Sequence, residues 1–104
     1  NIEKIESFTV ENNVNNNIEL MWFGNQEDID TIFNFIKNVK LEIIANKIEN
    51  KSDILKNWVY RISTKSYPDM ILLCNDGYIA IGKTLFIIDK GVIKNFEKLI
   101  KICN

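Results

Sequence analysis

The sequence predicts an α+β fold: an antiparallel or mixed sheet with helices packed mainly on one face, in a single compact domain over residues 1–104. Three observations lead to it. Residues 29–39 and 92–103 each carry apolar side chains at three- and four-residue spacing. Before and between these stretches lie short runs of β-branched and aromatic residues, punctuated by Asn, Asp, Gly and Pro. The length of 104 residues, with 46% hydrophobic and 26% charged side chains, suits one core that needs no disulfide or metal to hold it.

Each element follows from local chemistry. Ile5 to Val10 has strand-like spacing and runs into Glu11–Asn17, where clustered asparagines tolerate left-handed backbone and predict the loop of a hairpin. Ile18 to Phe23 is the returning strand, stopped by Gly24-Asn25. Asn25 suits a helix cap, Glu27 and Asp28 sit favourably in the first turn, and Ile29, Ile32, Phe33, Ile36 and Val39 predict an amphipathic helix to about Lys40. Leu41, Ile43 and Ala45 alternate as a short strand. Ser52 can cap a short helix carrying Ile54, Leu55 and Trp58, and Val59 to Thr64 has strand composition. Lys65-Ser66-Tyr67-Pro68 is a turn, because proline fixes its own φ and restricts the residue before it. Met70–Cys74, Asn75-Asp76-Gly77 and Tyr78–Ile81 form a hairpin pattern. Gly82-Lys83 permits a further reversal into a strand over Thr84–Ile88. Asp89 caps a last helix whose Val92, Ile93, Phe96, Leu99, Ile100 and Cys103 share one stripe.

Composition narrows the function. The chain has no histidine, the side chain that most often titrates near neutral pH, so acid–base chemistry would need a strongly shifted carboxylate, lysine or tyrosine. Its two cysteines, Cys74 and Cys103, form no CxxC pair for zinc. Thirteen basic residues, twelve of them lysine and the other Arg61, face fourteen acidic ones, and no basic stripe for nucleic acid is visible. No apolar run approaches the roughly 20 residues that span a bilayer. Cys74 lies in an apolar stretch where a buried, reduced thiol is expected, which suits a cytoplasmic protein. No enzyme activity, cofactor, metal, nucleic-acid partner or membrane partner is expected.

One segment matches a catalytic motif. Gly77-Tyr78-Ile79-Ala80-Ile81-Gly82-Lys83-Thr84 fits the phosphate-binding pattern G-x-x-x-x-G-K-[ST], and Leu85 to Asp89 imitates the strand and aspartate that follow it in such enzymes. A phosphate cradle needs a flexible loop that leads into a helix N-terminus. Here the residues between the glycines make a strand and another strand follows, so two strands joined by a glycine turn are the expectation.

The remaining candidates point to protein binding. Glu27, Asp28 and Asp30 gather three carboxylates at a helix start, although cap and dipole roles account for the first two. Asp69 and Asp76 fall at turns, and Tyr67 and Tyr78 flank the same hairpin as exposed aromatic candidates. Trp22 and Trp58 are aromatic types that anchor protein interfaces, but core packing is the expectation for both. In size, in its isoleucine, asparagine and lysine bias and in its α+β pattern, the chain resembles small bacterial immunity proteins of contact-dependent inhibition and polymorphic toxin systems. The resemblance implies a cytoplasmic monomer that neutralises a cognate toxin, such as a nuclease, in a one-to-one complex. The contact residues expected on the chain's own chemistry are Glu27, Asp28, Asp30, Tyr67, Asp69, Asp76 and Tyr78. Alternatives are a regulatory or scaffolding subunit, which should show an exposed apolar face or a self-pairing edge, a nucleotide-binding protein acting through Gly77–Thr84, and an accessory protein of a phage or mobile element.

Overall fold

The computed structural model describes residues 6–43, 56–65, 71–82 and 84–103. Within them, β1 (Phe8–Val14) and β2 (Asn17–Phe23) form a hairpin and lead into α1 (Gln26–Lys37). The short β3 (Glu42–Ile43), then β4 (Trp58–Ser63), β5 (Ile71–Cys74), β6 (Tyr78–Ile81) and β7 (Thr84–Ile87) precede the terminal helix α2 (Gly91–Cys103). The strands form one sheet in the order β2-β1-β4-β5-β6-β7-β3. Every pairing is antiparallel, so β4 to β7 run as a meander with β3 beyond β7. This is the expected α+β architecture.

Turn chemistry sets the registers. Asn15 and Asn16 take φ values of 51° and 67°, which makes a two-residue hairpin turn of the type that matches strand twist. The hairpin is therefore longer than the asparagine cluster suggests: Glu11 to Val14 extend β1, Asn17 opens β2, and only two residues form the loop. Gly77, at φ 86°, closes the β5–β6 turn, donating its N–H to the Cys74 carbonyl at 3.1 Å and accepting from Ile88 N–H at 2.9 Å. Any other residue would be strained there.

Both long helices form for the reasons their sequences give. Asn25 caps α1 by accepting the Glu27 N–H at 2.8 Å, and Asp89 receives the Gly91 N–H at the start of α2, also at 2.8 Å. α1 ends at Lys37 rather than near Lys40, because Asn38 and Val39 close a tightened last turn onto Asn34, Phe35 and Ile36 carbonyls. Val39 still packs on the core from outside the helix. Trp58 is the first residue of β4, not a helical residue, and a register shift separates it from Tyr60. The expected positions Ala45, Ser52, Ile54, Leu55, Tyr67, Pro68 and Asp69 lie outside the described residues.

The core forms between one face of the sheet and the two helices. Phe8, Val10, Phe23, Tyr60, Ile62, Ile71, Leu73 and Ile79 from the strands meet Ile29, Ile32 and Ile36 of α1 and Phe96 and Ile100 of α2. Aromatic contacts join the layers. Phe8 stacks on Phe23 at 5.0 Å and meets Phe33 edge-on at 5.2 Å, while Phe96 meets Tyr60 at 5.0 Å and Phe35 at 6.0 Å. Among the described residues no helix is long and apolar enough to cross a membrane.

Both cysteines are free thiols in different surroundings. Cys74 is fully buried, and burial, with the nearby Asp76 charge, pushes its thiol up to about 11. Cys103 is half-buried at the end of α2, and burial followed by the Asp28 carboxylate raises it as well. Thiolate is the reactive form. Alkylation of the native protein at neutral pH is therefore expected to be slow and to reach Cys103 first, with Cys74 labelled only on unfolding. Peptide mapping after timed iodoacetamide treatment checks this order.

Candidate functional site

The sequence of β2, Asn17-Ile18-Glu19-Leu20-Met21-Trp22-Phe23, carries apolar side chains on both faces. Alternation sends Met21 and Phe23 toward the helices and Ile18, Leu20 and Trp22 to the opposite face. There Ile18 is 52% exposed and Leu20 and Trp22 are each 67% exposed. Trp22 is thus not a core residue. Its cross-strand neighbour on that face is Thr9, and no helix among those described covers that side.

Among the described residues β2 is also an edge strand. The turn hydrogen bond pairs Val14 with Asn17, and by alternation β1 takes the main-chain groups of Asn17, Glu19, Met21 and Phe23. Ile18, Leu20 and Trp22 therefore turn their N–H and C=O groups away from β1. The same three residues present exposed apolar side chains and an open row of main-chain donors and acceptors, a template for another strand. Gly24 assists, since a Cβ at that position would overlap the six-membered ring of Trp22. The absence of a side chain lets the indole fold back over the end of the strand.

The neighbouring surface is fixed by an ion pair. Arg61 donates from Nε to Glu11 Oε1 and from Nη2 to Glu11 Oε2, both at 2.8 Å, and its guanidinium lies 4.8 Å from the centre of the Trp58 ring. The Arg61 hydrogen bond holds the Glu11 carboxyl below its ordinary range despite the opposing effect of burial. Glu11 is also the cross-strand neighbour of Leu20. A rigid, charge-compensated platform thus borders the apolar column.

On the helix side of β2 lies a recess of about 400 Å³, lined by Asn12, Glu19, Met21, Tyr60, Glu97, Ile100 and Lys101. Tyr60 is 2% exposed and its hydroxyl donates to Glu97 Oε2 at 3.3 Å. Burial, then the Glu97 charge and hydrogen bond, then the Glu19 charge, push this hydroxyl up to about 12. In the unfolded chain a tyrosine ionises near 10. Stability contributed by neutral Tyr60 is then full below about pH 10 and lost as pH rises toward 12. Tyr60→Phe is expected to flatten that alkaline limb in denaturant titrations. Glu97→Gln should bring tyrosinate formation at Tyr60 back toward 10, as read by ultraviolet absorbance.

The residues singled out from sequence are dispersed. Glu27 and Asp28 occupy the first turn of α1, and Asp30 accepts from Gln26 Nε2 at 2.8 Å. Asp76 lies at the β5–β6 turn, where its Oδ2 receives Asn57 Nδ2 at 3.0 Å, and Tyr78 is half-buried on β6. The register sets these two groups at opposite ends of the sheet, because α1 follows the far end of β2 while Cys74 pairs with Trp58 near the β1–β2 turn. Tyr67 and Asp69 lie outside the described residues. Gly77–Thr84 forms the meander: Tyr78–Ile81 pairs on both sides and Thr84 opens β7, so no helix N-terminus follows the second glycine. Ile18 and Leu20 are not among the sequence candidates, and core packing is the expectation for Trp22, although a strand with apolar side chains on both faces signals that both need cover. No protein-family model, curated protein sequence or solved structure matches the chain.

Proposed function

We propose that the chain is a non-enzymatic protein-binding inhibitor, an immunity protein that neutralises a cognate toxin in the cytoplasm, and that it docks this partner along β2. The observation that carries this reading is the coincidence of Ile18, Leu20 and Trp22 with an open sheet edge. Covering side chains of this size is worth roughly 1.5–3 kcal/mol each before the costs of association. Isolated proteins usually protect such edges with charge, proline or a covering element. β2 has no basic residue and no proline, its one charge, Glu19, lies on the helix side, and its outward face is apolar.

The same edge also supports a second reading, a scaffolding subunit that associates with copies of itself. Co-expression with the product of the flanking gene separates the two. A one-to-one complex that protects cells from that product supports the inhibitor. A homo-oligomer by light scattering, with no protection from and no complex with that product, supports the scaffold and contradicts the inhibitor.

A further inference from the structure

The recess on the helix side of β2 has the chemistry of a cation site. Glu19 and Glu97 bring carboxylates to one cavity, and the hydroxyl of Tyr60 is already hydrogen-bonded to Glu97. Met21 and Ile100 supply apolar wall, the surface along which a lysine or arginine stem packs while its head reaches acceptors. Asn12 also lines the cavity, and its Oδ1 is buried without a hydrogen-bond donor among the described residues. Lys101 approaches Glu97 at 3.6 Å, but both side chains are largely exposed. Such a surface pair contributes little and is readily displaced, and among the described residues lining the recess this one ammonium faces two carboxylates.

Position relates this cavity to the edge. Glu19 is a β2 residue whose side chain points to the helix face, between the outward-facing Ile18 and Leu20. A strand added beside β2 alternates in the same way, so its residues opposite Glu19 point toward the recess and their neighbours toward Ile18, Leu20 and Trp22. A second copy of this chain would bring no cation there, because its own β2 has no basic residue.

Resting on β2 as the docking edge, we infer that the partner contributes an extended strand of alternating character: apolar side chains over Ile18, Leu20 and Trp22, and a lysine or arginine that enters the recess between Glu19 and Glu97.

Two acetylated seven-residue peptides test this against the full chain, one alternating valine with lysine and the other valine with glutamate. Binding is followed by amide resonances of the ¹⁵N-labelled protein. The lysine peptide is expected to shift the Ile18, Leu20 and Trp22 amides and to bind at least about tenfold more tightly than the glutamate peptide. Glu19→Gln with Glu97→Gln should remove that preference while leaving the rest of the spectrum in place. Equal affinity of both peptides for β2 overturns the cation site and leaves the docking edge standing. A lysine preference that survives the double substitution also overturns the site. Failure of both peptides to move the β2 amides counts against the site and the docking edge alike.

Discussion

Replacing Leu20 and Trp22 together by glutamate is expected to abolish partner binding while the domain stays folded. Both side chains are 67% exposed, so their loss costs the isolated domain little, within the range of ordinary surface substitutions. In a complex the balance reverses. Tryptophan at the centre of an interface is a frequent anchor, and truncating an anchor costs about 2–4 kcal/mol. Two such losses, with added negative charge beside Glu11 and Glu19, predict a loss of at least about a thousandfold in affinity. The check is titration calorimetry with the co-purified partner, alongside thermal melts of the free variant. Unchanged affinity would place the interface elsewhere. The single change Gly24→Ala should act in the same direction but more weakly, because it displaces only the Trp22 ring.

Phe96→Ala should give the largest loss of stability. Phe96 is fully buried where the two helices meet the sheet, touching Phe35 of α1 and Tyr60 of β4. Removing a buried phenylalanine typically costs about 3–5 kcal/mol, from lost transfer free energy and the cavity left behind. Set against a net stability of about 5–15 kcal/mol for a domain, this lowers the melting temperature by roughly 15–30 °C. Ile102→Ala, on the same helix but at a position 80% exposed, is the control and should shift it little. A small effect of Phe96→Ala would mean that α2 is not part of the core.

The helices were legible because their signals are local and redundant. Ile29, Ile32 and Ile36 on α1, and Phe96 and Ile100 on α2, repeat at helical spacing and face the sheet as that spacing requires, and Asn25 and Asp89 cap as their chemistry suggests. The Asn75–Gly77 turn was legible for the same reason. Strand limits were harder to read. Asn12 and Asn13 are poor strand formers in isolation, but a tight Asn15-Asn16 turn holds both in β1, with Asn12 paired on both sides and Asn13 paired with Ile18 and donating from Nδ2 to the Trp58 carbonyl at 3.2 Å. Trp22 shows a second limit. Hydrophobicity predicts that a tryptophan seeks cover, but the position of β2 at the edge decides that Trp22 lacks it, and strand order is a long-range property that no local pattern encodes. The acidic residues were found individually. Their dispersal follows from the antiparallel register, which separates the start of α1 from the β5–β6 turn.

The claim that the partner docks as a strand on β2 is tested most directly by amide hydrogen exchange of Ile18, Leu20 and Trp22, free and in complex. In the free domain these three amides should exchange fast, because they face away from β1, while those of Glu19 and Met21 are slowed by the ladder. Complex formation should slow Ile18, Leu20 and Trp22 to rates like those of the β1–β2 ladder. Three amides that remain fast in a stable complex, with protection appearing on another surface, would contradict it.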